Sequence, residues 1–141
     1  MNILKKPFFL FLFIIVLFGC EPSYDNKLSF TNKTNKDVFI MDVYDHHSII
    51  EYLGNNKSPR WNTGHYLLPD ESVRFPAWGT WEKAIEKFDD KKIYFYVFNA
   101  DSLRIFREGN LDKNLLKYKQ LDFTKEQLIK INWEVIFKDS I

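Results

Sequence analysis

One cysteine in 141 residues leaves no intramolecular disulfide, so packing and hydrogen bonding must stabilise whatever this chain folds into. Its five glycines form no phosphate-cradling loop, and no G-x-S-x-G nucleophile elbow occurs. The three histidines show no H-x-x-x-H spacing and have no cysteine ligand beside them, which sets aside the usual zinc sites. An excess of one charge is missing too. Twenty Lys and Arg stand against 19 Asp and Glu, which leaves no electrostatic footprint for nucleic acid. The longest apolar run, residues 8–18, falls short of the roughly 17–20 residues that a membrane-spanning helix needs.

That short run is nevertheless the most informative stretch of the chain. It reads FFLFLFIIVLF without a charge, and Lys5 and Lys6 precede it. A basic start followed by a short apolar segment is the pattern of an export signal. A core helix of this length would show a polar face, and none is present. The run ends at Leu17-Phe18-Gly19-Cys20, which resembles the lipobox of bacterial lipoproteins: a branched apolar residue three before the cysteine and a small one just before it. Phe18 stands where a small residue is usual. The resemblance implies cleavage after Gly19, diacylglycerol on the Cys20 thiol and acylation of the new amine with a palmitate-type chain. It also resolves the lone thiol, which would be a liability in an oxidising compartment. Two or three acyl chains make an effectively permanent anchor where one is marginal. The next residue, Glu21, is not the aspartate that marks inner-membrane retention, so the expected location is the outer membrane. Loss of Lys5 and Lys6 leaves a mature chain of net charge −1.

Residues 1–19 are thus expected to be a signal peptide, 20–27 a lipidated tether and 28–141 a single domain. Leu28–Thr31 and Val38–Tyr44, joined by the turn cluster Asn32-Lys33-Thr34-Asn35, are expected to form a first antiparallel pair. After an irregular stretch, Tyr66–Leu68 and Ser72–Phe75 flank a Pro69-Asp70-Glu71 turn. Trp81, Ala84, Ile85 and Phe88 predict a helix over Thr80–Phe88. Lys92–Asn99 is apolar on both alternating faces, as in a central strand. Leu103–Phe106 and Leu115–Phe123 are further strand candidates. Thr124 and Gln127 form a capping box before a short helix, and Trp133–Phe137 closes the chain as a strand. The expected fold is mainly β, an immunoglobulin-like β-sandwich with one or two short helices, although the paired cysteines of true immunoglobulin domains are absent.

The pattern Tyr118-Lys-Gln-Leu-Asp-Phe-Thr-Lys-Glu-Gln-Leu128 with Asn132-Trp133 resembles the ending of small lipoproteins from Bacteroidetes, and Phe30–Ile40 resembles their opening. The likeness covers most of the mature chain and carries over no catalytic residues. His46 and His47, with Asp42 and Asp45 nearby, make a metal site conceivable, but a solvated loop pair is the stronger reading of that spacing. Asp70-Glu71 and Asp89-Asp90 fall in turns, where acids solvate or cap. The aromatics of the irregular middle, Trp61, Tyr66 and Trp78, are candidates for a ligand-binding platform, whereas Trp81 and Trp133 are expected in the core. The expectation is a non-enzymatic envelope module without metal or cofactor, held on a membrane through Cys20, that binds another protein or serves a structural role. The alternative is a glycan-binding accessory protein of the cell surface.

Overall fold

The computed structural model describes residues 23–43, 64–139 and 141, so Cys20, His46, His47 and Trp61 lie outside the described part. In chain order its elements are β1 (Tyr24–Asn32), β2 (Val38–Val43), β3 (Gly64–Leu67), β4 (Ser72–Trp78), α1 (Trp81–Glu86), β5 (Lys92–Asn99), α2 (Ala100–Arg107), a single 3-10 turn (Lys113–Leu115), β6 (Tyr118–Thr124), α3 (Lys125–Lys130) and β7 (Glu134–Phe137). The strands form two sheets, ordered β4-β1-β7 and β3-β2-β5-β6. All pairings are antiparallel except that of β1 with β7, the first and last strands, which run parallel.

β5 organises the interior because both of its faces are apolar. Ile93, Phe95 and Val97 meet Leu28, Phe30, Phe75, Val135 and Phe137 of the other sheet in the main core. The opposite face, Tyr94, Tyr96 and Phe98, packs with Met41, Leu103 and Leu116 in a second apolar layer that α2 and the following segment cover. Burying a side chain of this size contributes roughly 1.5–3 kcal/mol. Phe95 is fully buried and touches three aromatic rings, with centroids 5.4 Å from Phe30, 5.4 Å from Phe75 and 6.2 Å from Phe123. α1 forms where its apolar spacing predicts a helix, with Trp81 and Ile85 buried, and the Thr80 side chain caps it by accepting the Lys83 N–H. The capping box of α3 is formed in both directions between Thr124 and Gln127.

Several expectations are corrected. β1 and β2 do not pair with each other; the turn at Lys33–Lys36 carries the chain from one sheet to the other. The reason is Asn32, the buried polar residue among those described. Its amide donates to the carbonyls of Lys36 and Leu67, which folds the chain over to the facing sheet. β3 and β4 likewise lie in different sheets, and the Pro69–Glu71 turn with Asp70 at φ 68° is a corner, not a hairpin. β4 runs on through Pro76, which an edge strand tolerates because no ladder donor is lost there. Leu103–Phe106 belongs to a helix, not a strand. Asn99 caps it by accepting the Ser102 N–H, and Ala100, Leu103 and Phe106 recur at helical spacing on its inner face. The strand expected from Leu115 begins at Tyr118. β1 begins at Tyr24, inside the segment expected to be tether. An immunoglobulin domain places its first, second, fourth and fifth strands in one sheet. Here the first and second described strands are in different sheets, so the described residues form a mainly β fold of two sheets with three short α-helices, without the strand order of a true immunoglobulin domain.

Candidate functional site

Of the aromatics expected to form a binding platform, Tyr66 and Trp78 are described, and both are exposed. Tyr66 is opposite Phe39 on β2, and its hydroxyl donates to Asp37 at 2.6 Å, which holds the phenol above its usual pKa. It borders an open cleft of about 370 Å³ that Phe39, Leu103, Arg104 and Arg107 also line, with the Arg107 guanidinium 5.9 Å above the Phe39 ring. This cleft was not legible in the sequence, because α2 reads there as a strand. Arg104 is engaged with Asp101 and Glu108 along the helix surface.

Trp78 belongs to a different surface. It ends β4 and alternates with the buried Phe75 and Ala77, so it stands on the outer face of the β4-β1-β7 sheet. Tyr66, paired with Phe39, stands on the outer face of the other sheet. The two rings therefore do not form one platform. Trp78 is 71% exposed and its ring meets Tyr24 edge-to-face at 5.1 Å, the two residues being partners in the β1–β4 register.

The same end of β1 holds a charged cluster. The Lys27 ammonium lies 3.0 Å from Asp25 and 2.6 Å from Glu82 of α1, and 4.3 Å above the Trp133 ring. Asp25 also accepts the Trp81 N–H at the start of α1, 3.1 Å away. Partial burial alone would raise the Asp25 carboxyl, but the Trp81 and Lys27 hydrogen bonds outweigh it and hold the pKa below the usual value. Glu82 is held low by its bond to Lys27. Burial opposes the charge on Lys27, yet its two carboxylate partners raise its pKa overall. Trp133, one of two consecutive residues at positive φ after α3, is kept buried under this ammonium. The cluster joins β1, α1 and the entry to β7, so its residues hold the fold together.

Of the acidic pairs expected to solvate or cap in turns, Glu71 and Asp90 accept backbone N–H groups. Glu71 accepts the Leu68 N–H at 2.9 Å, and Asp70 pairs with Lys33. Asp90 accepts the Lys92 N–H and the hydroxyl of the buried Tyr94. The bond to Asp90, helped by burial, pushes the Tyr94 phenol up to about 12, and Asp90 is correspondingly lowered. The folded value lies above the unfolded value of about 10, so the stabilisation is whole below pH ~10 and is lost as pH rises through 12. Tyr94→Phe is accordingly expected to cost about 1–2 kcal/mol at pH 8, with the gap to the parent closing towards pH 12. Urea midpoints of both proteins across that range measure this; a gap independent of pH would refute it.

His65 is half-buried and meets Phe75 edge-to-face at 5.2 Å, a packing role. Among the described residues no group of three His, Cys, Asp or Glu could hold a metal ion, and no helix is long and apolar enough to cross a membrane. The sequence missed Tyr24 and Lys27, because only the β1–β4 register and the packing of α1 bring them to Trp78 and Glu82. No family model matches the chain, and no curated protein or solved structure matches it.

Proposed function

We propose that the chain is a lipoprotein of the bacterial cell envelope, anchored through acylated Cys20, whose mature part is a non-enzymatic binding or structural β domain. The observation that carries this reading is the uncharged apolar run that ends in Leu17-Phe18-Gly19-Cys20 behind Lys5 and Lys6. The start of β1 at Tyr24 is consistent with it. The four residues from Cys20 to Tyr24 span at most about 14 Å, so an anchored domain would sit directly on the headgroups. On this reading the exposed Tyr24–Trp78 pair faces the bilayer surface, where amphipathic rings are favoured. That assignment gives Trp78 a role without a sugar ligand. Asp70, Glu71 and Asp90 support a non-enzymatic domain, because they are engaged in capping or pairing. Glu21 after the cysteine favours the outer membrane.

Cys20→Ala in the full chain tests the anchor. Expressed in a Gram-negative host with radiolabelled palmitate, the parent is expected to be labelled and to sediment with outer-membrane fractions. The variant is expected to lose the label completely and to leave those fractions. Label retained on the variant would refute the reading.

A further inference from the structure

The two sheets are unequal. Three strands, β4-β1-β7, lie over four, β3-β2-β5-β6, and β7 and β6 border the same open side. Between them runs a groove of about 460 Å³ whose floor is Leu121 and Phe123 of β6 and whose end is Ile131. Leu121 and Phe123 pair with Phe95 and Ile93, so they point between the sheets with no described strand above them. Among the described residues no strand pairs with the outer edge of β7. Ser29 donates to the Trp133 carbonyl and Lys33 to that of Phe137, so the odd-numbered peptide groups of β7 face β1. By alternation the amide and carbonyl of Ile136 face outward, and no described strand takes them. A fourth strand laid against β7 would complete the short sheet and cover the groove.

We infer that the occupant is a second copy of this chain, joined through antiparallel β7–β7 pairing about a two-fold axis at Ile136. The sequence Glu134-Val135-Ile136-Phe137-Lys138 is self-complementary in that register. Ile136 meets Ile136 of the other copy, and Glu134 meets Lys138, twice by symmetry. On the inner face Val135 meets Phe137. Glu134, Ile136 and Lys138 are exposed, Val135 and Phe137 buried, so each pair joins residues of one face. Neither Glu134 nor Lys138 has an ion-pair partner among the described residues, which leaves both charges for the other copy. Such an interface is isologous, as closed dimers require. It supplies main-chain hydrogen bonds along an edge that would otherwise invite unspecific pairing.

The register fixes the test. Opposed Ile136 residues would form a hydrogen-bonded pair with Cα atoms about 5.5 Å apart, within disulfide reach. In the full chain in detergent, Ile136→Cys is expected to give a disulfide-linked dimer on mild oxidation. Ile129→Cys, equally exposed but on α3 away from the axis, is expected to give none. Sedimentation equilibrium of the parent should give twice the protomer mass. Glu134→Lys sets like charges opposite each other and should weaken the dimer about tenfold, and adding Lys138→Glu should restore it. Both substituted positions are exposed, so far-UV circular dichroism should be unchanged. A monomeric parent, equal cross-linking at both cysteine positions, or no rescue by the double variant would overturn the inference.

Discussion

Truncating Phe95 to alanine is expected to destabilise the domain by about 3–5 kcal/mol, a large share of the 5–15 kcal/mol typical of a whole domain. The residue is fully buried on an inner strand of its sheet, and among the described residues it is the one side chain in ring contact with Phe30 and Phe75 of the facing sheet and with Phe123 on β6. Loss of the ring removes burial energy, leaves a cavity between two sheets that cannot collapse without shifting their ladders, and forfeits three aromatic contacts of about 0.5–1.5 kcal/mol each. Chemical denaturation of the lipid-free protein measures the loss, and the melting temperature should drop by roughly 10–20 °C. Trp78→Ala serves as the comparison, since an outward ring on an edge strand should cost far less. A Phe95 loss near that of Trp78 would mean that the sheets do not depend on this ring.

β5 was fully legible in the sequence, and for a physical reason. A strand apolar on both faces must be covered on both sides, and Lys92–Asn99 is covered by a sheet on one face and by α2 on the other. The capping box of α3 was legible because the capping hydroxyl and its amide lie three residues apart. What failed was partner choice. The clusters Asn32–Asn35 and Pro69–Glu71 do turn the chain, but a turn cluster does not reveal whether the next strand pairs with the last or crosses to the facing sheet. The parallel β1–β7 pairing joins the two ends of the domain and leaves no local trace. α2 was misread because Leu103-Arg104-Ile105-Phe106 is short enough to suit strand or helix. The deciding signal is the cap: Asn99, three residues before Ser102, accepts its N–H. The candidate platform failed for the same reason as the pairings. Tyr66 and Trp78 are close in sequence, but the corner at Pro69–Glu71 sends their strands to different sheets with the rings on opposite outer faces.

That corner depends on Asn32, which makes Asn32→Asp the second of the large effects. Asn32 is completely buried at the end of β1. Its side-chain amide donates to Lys36 O at 2.8 Å and to Leu67 O at 3.2 Å, while its side-chain oxygen accepts from the Thr34 N–H and hydroxyl at 3.0 and 2.8 Å. Its main chain receives the Asp70 N–H and donates to Glu71 O. One residue thus ties both sheet-to-sheet crossings together. Aspartate keeps the shape and the accepting half but replaces two donors with an oxygen facing two carbonyls. A buried carboxylate there is unpaired on that side, so the expected cost is about 3 kcal/mol or more at pH 7. Burial beside carbonyls favours the protonated acid, which can donate one of the lost bonds, so the deficit should shrink as pH falls towards 4. Asn32→Ala, which orphans the same carbonyls without adding charge, should cost about 2 kcal/mol with no such dependence. Urea unfolding of both variants at pH 4.5 and pH 7 separates the cases: equal deficits for Asn32→Asp at the two pH values would show that water reaches this corner and that its hydrogen bonds do not hold the crossings.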